Sequence, residues 1–252
     1  MCKHDLKIPT FSDLRVSYIG LEGVGATSEE RKKKLKDRYN FDCKCTKCED
    51  PNSDAKLMSL KCKKCSGWVN EKTKICADCN QKIEFNGEEM SIIEKFKNGT
   101  LPLPTPAMGT NEVRPLFKKY ARIFHPFNKL FGKTFVALFL YTSNFVFEVE
   151  QMNDRNANKL LLEMLKIELI HLQEHQPKYS SLIDVIEGQI GQACCNLQLF
   201  DEALTHFQRA EEVCKIEGGG SAGKNFLAYI EDCKMKAEYS QMSRMVSTMR
   251  IF

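Results

Sequence analysis

Seven cysteines fall within the 37 residues from Cys43 to Cys79, and they come in two sets. Cys43, Cys45 and Cys48 make a C-x-C-x2-C triplet. Cys62, Cys65, Cys76 and Cys79 make a C-x2-C-x10-C-x2-C quartet. No other feature constrains the fold as tightly. Thiolates two residues apart on a tight turn converge on one tetrahedral Zn2+, and the ion then holds a segment too small to build its own core. The quartet is a complete ligand set, read as a zinc ribbon with Gly67 easing its first turn. The triplet is one ligand short, so the chain either borrows a fourth from elsewhere, with Cys2 and His4 as candidates, or has lost it. The ribbon has two open roles: a structural staple, or a recognition surface in which Trp68 and nearby lysines contact a partner.

The compartment follows from the same cysteines. Met1 is followed by Cys2, Lys3, His4 and Asp5 with no apolar run, so no signal peptide is visible. Twelve cysteines without such a leader imply reduced thiols and metal rather than disulfides, in nucleus or cytoplasm. The most apolar stretch, Phe135 to Val149, is broken by Thr142, Ser143, Asn144 and Glu148. It reads as a buried helix, and no membrane association is expected. A net charge of +4 is mild, so nucleic acid is not the expected partner. Lys32, Lys33, Lys34 and Lys36 crowd one segment, either as a solvated helix face or as a basic surface near an acidic partner. Cys194, Cys195, Cys214 and Cys233 sit in helical patterns and read as core thiols.

Asp13 to Ile19 alternate like a strand, with Leu14, Val16 and Tyr18 on one face. After a glycine-rich loop, Thr27-Ser28-Glu29-Glu30 supplies N-capping chemistry for a basic helix over Ser28 to Tyr39. Lys82 to Phe85 read as a strand turning at Asn86-Gly87. Leu101 to Pro106 carry three prolines and form an extended, linker-like stretch. From Glu112 on, apolar residues recur at three- and four-residue steps, as in Val113, Leu116, Phe117, Tyr120, Ile123 and Phe124. Breaks fall at His125-Pro126, Asn153-Asp154, Gln176-Pro177, Leu199-Phe200 and Gly218-Gly220, which predicts five or more antiparallel helices. Gly191, Ala203, Phe207 and Ala210 occupy the small-residue and aromatic positions of a 34-residue tetratricopeptide unit starting at Asp184. An ordinary helical hairpin explains the same four residues.

The segment Ser17-Tyr18-Ile19, then Ser28-Glu29-Glu30-Arg31-Lys32-Lys33-Lys34-Leu35, then Tyr39-Asn40-Phe41-Asp42-Cys43-Lys44-Cys45-Thr46-Lys47-Cys48 resembles the end of the SET domain and the post-SET zinc knot of the SMYD family. These are SET and MYND domain protein-lysine methyltransferases. The resemblance covers residues 14–48. Ile123 to Asn128 and the helix pair near Gly191 resemble the family's C-terminal helical domain. Gly20 stands where the family has an aspartate, and the following loop is longer.

The resemblance implies S-adenosylmethionine-dependent methylation of protein lysine. Tyr18 would orient the acceptor amine and Tyr39 would line the lysine channel as catalytic-site residues. Phe41 would stack on the cofactor's adenine. It also implies a fourth ligand for the triplet from an upstream Asn-His-Ser-Cys motif, which does not occur in these 252 residues. The chain is therefore expected to be the C-terminal half of a SMYD-type protein, a partial or truncated form inactive alone. The alternative is a zinc-binding scaffold that is not an enzyme. The expected fold is mostly α with a small β component: the end of a SET domain at 1–42, zinc knot and ribbon at 43–85, a linker at 86–110, and a TPR-like helical domain at 111–252 that meets a protein substrate or partner. Nothing in the sequence sets an oligomeric state.

Overall fold

The computed structural model describes residues 25–105, 108, 110–131, 155–176, 178, 180–217 and scattered positions between 231 and 242. These belong to two compact units, one holding residues 25–131 and the other residue 155 onward. The described structure is mostly helical with one two-stranded sheet. The strand expected over Asp13 to Ile19, and with it Tyr18, lies outside the described residues, as does the apolar stretch Phe135 to Val149.

The first unit begins with α1 (Ser28–Tyr39). Thr27 caps it: its side chain accepts from the Glu30 amide, and the Glu30 carboxylate returns the bond to the Thr27 amide at 2.7 Å. Two of the free first-turn donors are thus satisfied reciprocally. Asn40 ends the helix in the left-handed conformation (φ 54°), which asparagine tolerates better than most residues. Arg31 and Leu35 form its buried face. Two short helices follow, α2 (Thr46–Glu49) and α3 (Pro51–Leu57). Proline sits at the start of α3, where its missing N–H costs nothing, and Asp50 caps the Asn52 amide.

Strands β1 (Leu60–Lys61) and β2 (Trp68–Val69) pair antiparallel, with Leu60 opposite Val69. Single bridges extend this ladder from Val69 to Cys76 and from Ile75 to Lys82. The strand expected over Lys82 to Phe85 is reduced to that one bridge. Asn86-Gly87 is not a hairpin turn either; it opens α4 (Gly87–Lys97). Asn86 accepts from the Glu89 amide while Glu89 accepts from the Asn86 amide, a second capping box. Helix α4 therefore stands in the stretch expected as linker. Residues 101–105 do run without helix or strand, but Leu101 is buried, and the Pro102 carbonyl accepts from the Tyr120 hydroxyl.

Helix α5 (Thr110–Ile123) buries Val113, Phe117 and Tyr120 along one stripe that continues to Phe124. Phe124 is fully buried. It bridges Leu60 through its backbone and packs its ring 4.9 Å from that of Phe96 on α4. Asn128 is buried too; its side-chain amide donates to the Ser59 carbonyl (2.9 Å) and its oxygen accepts from the Leu130 amide (2.9 Å). Helix α5 and the His125–Asn128 turn thus share their core with the ribbon.

The second unit contains α6 (Arg155–His175), α7 (Ser181–Asn196) and α8 (Phe200–Glu217). Helix ends at His175, Asn196 and Glu217 agree with the expected breaks at Gln176-Pro177, Leu199-Phe200 and Gly218. Helices α7 and α8 run antiparallel: Glu187 meets His206, while Gly191 faces Phe207 and the Leu199 amide reaches back to the Cys194 carbonyl. Ala203, Phe207 and Ala210 are completely buried. A β-carbon on Gly191 would stand 2.6 to 2.8 Å from three Phe207 ring atoms, so the helices meet at a distance only glycine permits. Among the described residues, no helix is long and apolar enough to cross a membrane.

Candidate metal centres

The structure gathers both cysteine sets. The sulfurs of Cys62, Cys65, Cys76 and Cys79 all lie within 4.8 Å of one another, and so do those of Cys43, Cys45 and Cys48. Within the quartet, Cys62 and Cys79 are 3.8 Å apart and Cys65 and Cys76 are 3.5 Å apart. A tetrahedral ion with metal–sulfur bonds of about 2.3 Å separates its ligands by about 3.8 Å. The quartet thus matches the spacing that zinc requires.

Two equivalent turns create this convergence. The Cys62 amide donates to the Gly67 carbonyl (2.9 Å), and the Cys76 amide donates to the Gln81 carbonyl (3.0 Å), five residues on in each case. Ser66 (φ 64°) and Asn80 (φ 53°), four residues after those cysteines, take the left-handed conformation that closes each loop. Between the loops, the Ala77 amide bonds the Trp68 carbonyl at 2.9 Å. Gly67 lies close to Asp78: a β-carbon there would overlap the Asp78 carboxylate, which would have to turn aside. The ribbon is therefore two copies of one knuckle facing each other. Sequence spacing exposed the cysteines but not the Gly67–Asp78 contact.

Cys62, Cys65 and Cys76 do not behave alike. Burial opposes ionisation of Cys62, but amide donation from Cys65 and Lys64 outweighs it and draws the thiol down to about 7. Cys65 goes up to about 12: the Gly67 amide favours its thiolate, but hydrogen bonding with Cys76, burial and the neighbouring thiols win. Burial chiefly raises Cys76. Cys62 ionises readily while Cys65 and Cys76 hold their protons, as expected when anions crowd together without a cation. A divalent ion relieves that conflict. The residues present fit such an ion, which would act here as a structural cross-link.

The triplet is built differently. Cys45 caps α2, and its carbonyl accepts from the Cys48 amide at 2.9 Å. Arg31 reaches across from α1 and is buried. One guanidinium nitrogen donates to the Lys47 carbonyl (2.9 Å) and another to the Ala26 carbonyl. Arg31, next to the lysine cluster of the basic helix, thus pins the triplet loop. Cys48 is buried, Cys43 half-buried and Cys45 exposed. Burial raises Cys43, whereas Cys45 is lowered because amide and thiol donors from Cys48 and Cys43 overcome its burial. Among the described residues, no fourth histidine, cysteine or carboxylate joins the set.

The aromatics Tyr39 and Phe41 flank the triplet and are 48% and 36% exposed, so neither is spent on the core. His125 accepts the Phe127 amide on its Nδ1 (3.2 Å) at the turn after α5, a structural role. Cys194 is a buried core thiol, and Cys195 is half-buried. Lys32, Lys33 and Lys36 border an open groove beside Asp42 and Asp54, with Lys36 paired to Asp42 at 3.1 Å. No known family model matches the chain.

Proposed function

We propose that this chain carries the end of a SET domain, its post-SET zinc knot, a structural zinc ribbon and a TPR-like helical domain. On this proposal it contributes one wall of a SMYD-type protein-lysine methyltransferase site. The observation that carries the reading is the unit formed by α1, the exposed Tyr39 and Phe41, and the convergent Cys43, Cys45 and Cys48 directly after them. On this reading Tyr18 orients the acceptor lysine, Tyr39 lines its channel, and Phe41 stacks on the adenine of S-adenosylmethionine. Orientation of that kind is worth much to a transfer reaction, but only when every wall is present. A single aromatic stack contributes about 1–3 kcal/mol, against the roughly 8 kcal/mol of micromolar affinity. The chain alone therefore neither binds S-adenosylmethionine measurably nor transfers methyl groups. The tight Gly191–Phe207 contact supports the TPR-like pair, which would receive a protein substrate or partner. The proposed location is nucleus or cytoplasm.

Sequencing of full-length transcripts tests the assignment. An upstream reading frame encoding a MYND finger and Asn-His-Ser-Cys supports it, and the extended polypeptide should methylate lysine and lose that activity on Tyr18→Phe. Transcripts without such a frame favour the second reading, a zinc-held scaffold. That reading rests on the ribbon's own packing: it closes through Leu60 and Ser59 onto Phe124 and Asn128.

A further inference from the structure

Arg31 is buried, and a guanidinium is always charged. Among the described residues its hydrogen bonds go to two neutral acceptors, the carbonyls of Ala26 and Lys47, and its Nε finds no acceptor. A cation taken out of water against neutral groups alone is costly, so buried charges are matched by an opposite one. The anion at hand is the sulfur cluster. Lys47 lies in the loop between Cys45 and Cys48, and Cys48, directly after the accepting carbonyl, is buried as well. Three thiolates outweigh one divalent ion, so the filled knot carries excess negative charge whatever neutral or anionic group completes it.

The same side chain joins three stretches of the chain. It stands on α1, reaches back to Ala26 before the helix, and reaches forward into the knot. Tyr39 ends α1, and Phe41 follows two residues on, just before Cys43. We propose that Arg31 is the charge partner of the metal-bound Cys43, Cys45 and Cys48 knot and, through it, a positioning residue for Tyr39 and Phe41. The proposal rests on the zinc-knot reading and deepens it. Protons compete with metal for thiolate sulfur. A cation beside the sulfurs favours their ionised form and lets the knot keep its metal to lower pH.

The full chain, loaded anaerobically with Co2+, tests this, because thiolate-to-cobalt charge-transfer bands report bound metal. Bands lost in Cys43→Ser belong to the triplet, and bands lost in Cys62→Ser belong to the quartet. Arg31→Gln keeps an amide to reach the Lys47 carbonyl but drops the charge. On acid titration it should release the triplet's cobalt at a pH higher by about one unit. Arg31→Lys should restore the wild-type midpoint, and the quartet's midpoint should stay fixed in both. In fluorotyrosine-labelled protein, the Tyr39 resonance, assigned through Tyr39→Phe, should move when the triplet is loaded, and Arg31→Gln should reduce that movement. Absence of any Cys43-dependent band would overturn the knot reading and this proposal with it. Cys43-dependent bands with an unchanged midpoint in Arg31→Gln, an Arg31→Lys midpoint as high as that of Arg31→Gln, or equal shifts at both clusters would overturn the role of Arg31 alone. A Tyr39 resonance indifferent to loading would overturn its positioning role. If Arg31→Gln does not fold, Arg31→Lys decides: a wild-type midpoint supports the charge role, and a raised one overturns it.

Discussion

Gly191→Ala sets two well-known effects against each other. Alanine is favoured over glycine inside a helix by about 1 kcal/mol, so on propensity alone the change stabilises α7. The structure opposes this. The new methyl would lie 2.6, 2.7 and 2.8 Å from the Cε1, Cζ and Cδ1 atoms of Phe207, against the 3.5 to 4.0 Å of an ordinary carbon contact. Phe207 is fully buried, so its ring cannot swing clear without disturbing Ala203 and Ala210. Overpacking of this severity costs about 3 kcal/mol. The net expectation is a destabilisation of about 2 kcal/mol, read by denaturant unfolding followed through helical dichroism. Phe207→Leu should weaken the wild type by leaving space, yet in the double variant the two changes should compensate by 1 kcal/mol or more. Stabilisation by Gly191→Ala, or additivity in the double variant, would show that the helices do not meet as described.

Further expectations concern buried polar groups. Both carboxylate oxygens of Glu168 on α6 are buried without a hydrogen-bond partner, and burial pushes this acid up to about 8. Its neutral form is the one that folds, so the second unit is most stable below pH 4.5 as far as this group acts and loses that stability as pH rises through 8. Glu168→Gln should flatten the profile and be the more stable protein at pH 9, by on the order of 4 kcal/mol; parallel profiles in pH-dependent unfolding would contradict this. Asn128→Ala removes two buried hydrogen bonds at the Ser59 turn and should cost about 2–4 kcal/mol in the unfolding of the first unit. A change under half a kcal/mol would refute the proposed docking of that turn. Gly67→Ala should weaken zinc retention against a chelator, because the displaced Asp78 sits between Cys76 and Cys79; unaltered retention would count against the twin-knuckle geometry.

Local signals were legible in the sequence and long-range ones were not. Helix α1 follows its expected bounds because both ends are written in side chains, Thr27 with Glu30 and then Asn40. The same grammar stands at Asn86 and Glu89, but Asn-Gly also suits a hairpin, and β-pairing before it favoured the wrong choice. The burial of Ile92 and Ile93 on α4 decided otherwise. Cysteine spacing was enough to find both clusters, since convergence depends only on turns of a few residues. The bond from Asn128 to Ser59 spans 69 positions, and no local pattern announces it. Glu168 had a faint signal: it falls on the stripe of Leu161, Leu165 and Leu172, where an apolar residue is due. Arg31 had none, being one cation among many on a basic helix.

The central claim is that a metal ion joins the two knuckles of the ribbon. Metal analysis of the purified chain, repeated for Cys62→Ser, tests it most directly. Tightly held zinc should resist dialysis against a weak chelator, with one equivalent lost in the variant. Zinc that is substoichiometric from the outset, and unchanged by Cys62→Ser, would contradict it.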